Sequence, residues 1–154
     1  MNLMNYLDYN VIIDVFDAFE KEEYDLAEKR LDNKFNSTIL DKEVSKTEFV
    51  ELYKKIKMGM PDAVFSIENL ILNGDSLTGK VKITGTHTHP MPPLKRGWKS
   101  GKPTGKKINK IVSSIEVIMK GSKILEIRNV KEKKGVAAGL LNELDLLPKS
   151  YSLN

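Results

Sequence analysis

The stretch "AVFSIENLILNGDSLTGKVKITGTHTHP", residues 63–90, decides how the chain is built. Two runs rich in β-branched and aliphatic residues flank Asn73, Gly74 and Asp75, a short turn signal that joins antiparallel strands. The sequence before this hairpin has helical spacing; the sequence after it has the texture of strands and turns as far as residue 132. Helices first and antiparallel strands second predict an α+β domain, with the helices on one face of a curved sheet. A curved sheet leaves room between its concave face and the helices, which is a common place for a ligand. No linker or repeat interrupts residues 1–154, so they read as one domain.

Working backward from residue 63, three helical patterns stand out. Ile12, Val15, Phe16 and Phe19 follow the spacing of one buried stripe. Tyr24, Ala27 and Leu31 make a second, shorter one. "SKTE", residues 45–48, is a capping box that opens a third helix, with Phe49, Leu52, Tyr53 and Ile56 on one face. "GMPD", residues 59–62, ends it.

Working forward, strand residues alternate between faces. In "VKITGTHTH", Val81, Ile83, Gly85, His87 and His89 share a face, and its apolar members mark it as the inner one. "KKINKIVSSIEVIMK", residues 106–120, turns at "KGSK", residues 120–123, into "ILEIRNVKE", residues 124–132. Strict alternation in that last strand places Ile124, Glu126, Arg128, Val130 and Glu132 on one face. It places Leu125, Ile127, Asn129 and Lys131 on the other. Apolar residues on both faces predict two covered faces, one under the helices and one against a second subunit. Such a sheet-to-sheet homodimer would bury Leu125 and Ile127. The tail "GVAAGLLNELDLLP", residues 135–148, reads as a short apolar helix or ordered segment.

Composition narrows the function classes. The chain has no cysteine, which excludes disulfides, thiolate metal sites and a cysteine nucleophile and fits a cytoplasmic setting. Its N-terminal pattern holds acids and no basic leader, so it does not read as a signal peptide, and no apolar run has the length of a membrane span. The net charge of +4 hides an asymmetry: residues 1–50 carry 6 basic and 12 acidic side chains. The basic excess is densest in residues 90–110, which have no acid and contain Trp98. Lysines can meet phosphates and an indole can stack on a base, but prolines and glycines make this stretch read first as a solvated hairpin loop.

His87 and His89 are the only histidines. A pair at i and i+2 on a strand can bind metal, yet no third histidine or cysteine joins them, and a metal site is not expected. His87 suits a pocket donor for a carbonyl that becomes an enolate; His89 lies nearer the loop. Glu126 and Arg128 read as an ion pair or as an anchor for an anionic group of a ligand. Tyr53 is a candidate pocket-lining residue and Trp98 a candidate cover.

Several stretches taken in order resemble one family: "MPDAVFSIENLI", "GDSLTGKVKITGTHTHP", "KPTGKKI" and "GSKILEIRNVKEKKGVAAGLLNEL". The Pro-Asp at 61–62, Gly-Asp at 74–75, Gly-Thr-His at 85–87 and Pro-Thr-Gly at 103–105 are similar to the SnoaL-like polyketide cyclases, of the nuclear-transport-factor-two-like superfamily. The resemblance spans roughly residues 10–145. It implies a cone-shaped α+β barrel, three N-terminal helices on a mostly antiparallel sheet, and a central pocket. It also implies ring closure by intramolecular aldol chemistry with no cofactor, using a pocket carboxyl as general acid/base. The family's acid position falls on Glu132, and its tryptophan, four residues earlier, is Arg128 here. One carboxyl can abstract a proton beside a carbonyl and return it.

The expected function is therefore cofactor-free acid/base chemistry on a carbonyl-containing small molecule, with Glu132 as acid/base and His87 as polarising donor. The alternative is a non-catalytic small-molecule binder on the same fold. A third reading, ranked below both, is a polyanion or nucleic-acid binder acting through residues 95–110.

Overall fold

A computed structural model describes residues 3–38, 43–95, 98, 100–130 and 135–146. Helices α1 (Leu3–Glu20) and α2 (Tyr24–Lys29) lead into strand β1 (Leu31–Ser37) and the two-residue β2 (Val44–Ser45). Helix α3 (Lys46–Gly59) follows, then β3 (Val64–Asn73), β4 (Ser76–Thr86), β5 (Lys107–Lys120), β6 (Lys123–Asn129) and α4 (Val136–Glu143). The six strands form one open sheet in the order β2-β1-β6-β5-β4-β3. All pairings are antiparallel except β1 with β6. The expected α+β fold is what the chain adopts.

The predicted apolar stripes form the core. Ile12, Val15, Phe16 and Phe19 of α1 and Phe49, Leu52, Tyr53 and Ile56 of α3 are all buried. They pack against Phe65, Leu77, Val81, Ile83, Val117 and Ile127 of the sheet. Tyr53 is the hub of this layer. Its ring stacks on Phe19 at 4.2 Å and meets Phe16, Phe49 and Phe65 edge-on or nearly so. Such pairs add to the area they bury.

Helix α3 is held at both ends. The Ser45 hydroxyl accepts from the Glu48 N–H at 3.3 Å, and the Glu48 carboxylate accepts from the Ser45 N–H at 3.2 Å, so the capping box is complete. At the other end the buried Lys57 ammonium donates to the Pro61 and Ala63 carbonyls at 2.9 and 3.2 Å. Those two bonds compensate a charge that would otherwise be costly inside the protein.

Irregularities in the pairing bend the sheet, one of them between β1 and β6 at Leu31/Asn36. Register shifts occur in β3 between Glu68 and Ile71, between β4 and β5 at Val81/Lys82, and between β5 and β6 at Ile118/Met119. A bulge adds twist and curvature and re-aims the side chains beyond it. The bulge at Val112 of β5 also receives α4. A Cβ placed on Gly139 would lie 1.8 Å from the Val112 carbonyl oxygen, so helix and strand touch backbone to backbone.

Two expectations need correction. Leu31 does not continue a helix; it begins β1, whose parallel partner β6 lies about ninety residues away in the sequence. Strict alternation also fails in β6. Met119 pairs with Ile124 while Ile118 pairs with Glu126, so Leu125 is an extra residue. As a result Ile124 and Ile127 both face the core, and Glu126 and Arg128 lie on the outer face with their partners Ile118 and Glu116. Ile127 is buried under the helices and cannot take part in a sheet-to-sheet contact.

Candidate functional site

Strand β4 carries the inner-face sequence Leu77, Gly79, Val81, Ile83, Gly85, and one further step brings His87. The backbone there is still held as in a strand: His87 N–H donates to the Lys106 carbonyl and Gly105 N–H to the His87 carbonyl, both at 2.9 Å. His87 has no exposed surface. Its Nδ1 accepts from the Thr104 N–H at 3.2 Å and lies 3.0 Å from the Thr104 hydroxyl. An N–H donor on Nδ1 leaves the proton of the neutral ring on Nε2. That Nε2 is buried and has no hydrogen-bond partner among the described residues.

Burial holds the His87 pKa below the ordinary histidine value, with the His89 backbone acting in the opposite sense. Desolvation disfavours the charged ring. The site therefore presents a neutral imidazole with a fixed tautomer and one unspent donor.

The wall beside this ring is built from glycine and apolar groups. Met91 and Gly101 exchange two backbone hydrogen bonds of 2.8 Å across the base of the loop. A Cβ on Gly101 would meet Leu146 Cδ1 at 2.8 Å, His87 Cε1 at 3.7 Å and Met91 Cβ at 3.8 Å. Loop, imidazole and the end of α4 thus converge on one notch that only glycine leaves open.

The other expected site residues scatter. His89 is exposed, and its Nδ1 lies 2.8 Å from the neighbouring Thr88 hydroxyl. Tyr53 is core, and burial raises its phenol pKa strongly. Trp98 is half-buried against the core, with the Lys95 ammonium 5.4 Å from its ring centre. Arg128 Nε sits 3.2 Å from Glu126 and 3.5 Å from Glu116, whose other oxygen accepts from the Ser76 hydroxyl at 2.8 Å. This is an ion-pair row on the outer face, whereas His87 follows the inner face of β4. Asn129 takes the inner position instead, donating from Nδ2 to the Thr38 carbonyl at 3.2 Å. Glu132 lies outside the described residues. Among the described residues no three His, Cys, Asp or Glu side chains gather as a metal site.

Two surface depressions lined by described residues lie away from His87. One, of about 450 Å³, sits beside α2 between Tyr24 and Lys54. The other, of about 460 Å³, sits between Ile71, Lys80 and Val130. Sequence reasoning missed Thr104, Gly101 and Leu146; of these only Thr104 had a signal, as the centre of "PTG".

Comparison with known proteins gives a consistent result. No curated protein matches the sequence. The fold matches a protein of Jannaschia sp. CCS1 named as a SnoaL-like polyketide cyclase, at TM-score 0.69 and 14% identity, covering 93% of this chain and 94% of that one. It also matches AclR of Streptomyces galilaeus, named as a hydroxylase, at TM-score 0.64 and 19% identity over 92% and 97% of the two chains. IdmH of Streptomyces antibioticus, named as a polyketide cyclase, matches at TM-score 0.62 and 13% identity over 90% and 98%. At such identities the likeness is one of fold, and the fold carries more than one reaction name. The sequence itself matches the family model for SnoaL-like polyketide cyclase over residues 10–140. This chain belongs to the SnoaL-like polyketide cyclase family.

Proposed function

We propose that the protein performs cofactor-free acid/base chemistry on a carbonyl-containing small molecule, with His87 Nε2–H as the donor to the carbonyl oxygen. The observation that carries this reading is the buried Nε2, without a hydrogen-bond partner among the described residues, on a ring whose tautomer Thr104 fixes. An unspent donor in a desolvated place costs stability, and a substrate oxygen gaining negative charge is the group that would repay it. Glu132 is the acid/base in this scheme, at the family's acid position. It takes the proton beside the carbonyl while His87 stabilises the enolate oxygen. Carbon–carbon bond formation or reprotonation at another carbon then completes a cyclisation or an isomerisation.

The test uses a series of aryl methyl ketones and β-keto esters in heavy water, reading α-deuteration by mass spectrometry. Wash-in above background is expected to fall by about 10² or more in Glu132→Gln, the usual scale for losing a general base. It should also fall in His87→Phe. Unchanged wash-in in Glu132→Gln sinks the acid/base role.

A second reading is favoured by one observation: no ionisable partner of His87 is found among the described residues. On that reading the chain binds the same carbonyl compounds without turning them over. It predicts that affinity survives Glu132→Gln and that no deuterium enters in the unaltered protein. The outer sheet face, with Val64, Ile71 and Ile111 exposed, is the surface proposed for a homodimer, which sedimentation would detect.

A further inference from the structure

Helix α4 ends in an unusual way. Leu146 N–H donates to the Leu141 carbonyl at 2.8 Å and Asp145 N–H to the Asn142 carbonyl at 3.2 Å. This is the double-bonded Schellman ending, whose central position takes a left-handed backbone and favours glycine. Here that position is Asp145, with φ of +58°. The carboxylate reaches across to the Lys106 ammonium, next to the residues that clasp His87. The following side chain, Leu146, fills the Gly101 notch beside the His87 ring. Helix α4 buries Val136, Ala137, Ala138, Leu140 and Leu141, so it is firmly seated; Asp145 and Leu146, which follow it, reach the loop.

From these two independent features we infer that Asp145 and Leu146 form a latch over His87. The ion pair to Lys106 holds the latch shut, and its release opens the imidazole edge to a small molecule. The inference rests on the reading of His87 as the ligand-facing donor, and it concerns access, not chemistry. Leu146 is the plug, while Asp145 accepts a left-handed backbone in order to place a carboxylate on Lys106. The pair is largely exposed, with side-chain exposures of 43% and 77%, so its hold is modest and falls with salt.

The two histidines make the test internal. Diethyl pyrocarbonate acylates neutral imidazole, and peptide mass spectrometry separates His87 from His89. In the unaltered protein exposed His89 should be modified quickly and His87 slowly, because the rate at a covered site follows the open population. Asp145→Asn keeps a residue that tolerates the left-handed backbone and removes the charge. It should raise His87 labelling by roughly two- to fivefold, the range an exposed ion pair supports. Leu146→Ala should raise it by about tenfold through lost apolar burial. His89 labelling should stay constant in both. Raising the salt should reproduce part of the Asp145→Asn effect.

Asp145→Gly separates the latch from simple stability. It relieves the helix ending, so thermal stability should hold or rise while His87 labelling still increases. Labelling that follows global stability in these variants overturns the latch. So does a His87 rate in unaltered protein that climbs in low urea with the full slope of global unfolding, since local release exposes little surface. Unchanged His87 labelling in all three variants overturns it as well. None of these readouts uses a substrate, so the latch can fail while the proposed chemistry stands, and the reverse.

Discussion

The two ends of the inner sheet face are built on opposite principles. Around Tyr53 the space between α1, α3 and the sheet is filled by rings in contact with rings. Around His87 the walls are glycine and apolar groups of the loop and of Leu146, and a polar atom is sealed in without a hydrogen-bond partner among the described residues. The first region repays burial with dispersion and the hydrophobic effect. The second gives up part of that return to hold a donor ready. The contrast marks where the packing rules are broken, and it separates His87 from Tyr53, which has the chemistry of a site residue and the surroundings of a core residue.

Three experiments press on this contrast, the largest effect first. Tyr53→Ala should cost about 3–5 kcal/mol, the usual range for emptying an aromatic core position, read by urea unfolding. A stable variant that instead loses ketone binding would place Tyr53 in the site and erase the distinction. Gly139→Ala should cost about 1–3 kcal/mol or more, since the added methyl must push α4 off the Val112 carbonyl. A Gly139→Ala protein as stable as the original would mean that α4 rides loosely on β5.

The smallest effect is a pH dependence. The folded pKa of His87 lies below its unfolded value, so below about pH 6.5 the unfolded chain binds the proton more readily. The neutral ring therefore contributes stability that is fully present above that pH and is lost as pH falls toward the folded pKa. Thr104, which bonds the ring, and Met91, Gly101 and Leu146, which meet it at the Gly101 notch, carry no charge; the nearby Lys106–Asp145 pair does. Melting temperatures between pH 7.5 and 5 should show this loss, of order 1 kcal/mol per unit of pKa difference. His87→Phe should flatten the curve; the same slope in that variant would mean that another group sets it.

Much of this architecture was legible in the sequence because its signals are periodic. The α1 and α3 stripes, the capping box at Ser45 and the hairpin turn at Asn73 all have local physical causes. The inner face of β4 was legible for the same reason, and it led to His87 ahead of His89. The misreadings fall where a local count has nothing to count. Leu125 is one residue inserted into β6, and no alternation rule registers an insertion; it carried Glu126 and Arg128 to the outer face. Strand β1, "LDNKFNS", lacks a clean period because its pairing with β6 is itself irregular between Leu31 and Asn36. The notch at Gly101 depends on Leu146, forty-five positions away, and no pattern in either stretch announces the other.

The parallel pairing of β1 with β6 has a consequence in time. Leu31 settles beside Ile124, so the strand made early must wait for one of the last to be made. Closing so long a loop is entropically unfavourable until the contacts beyond it form. During synthesis α1, α2 and α3 can coil as soon as they emerge, and Phe35 can meet Phe49 of α3, but the edge of β1 that pairs with β6 has no partner until β6 leaves the ribosome. The nascent N-terminal third therefore carries an exposed strand edge through most of translation, the kind of surface that chaperones recognise and that aggregates when they are scarce.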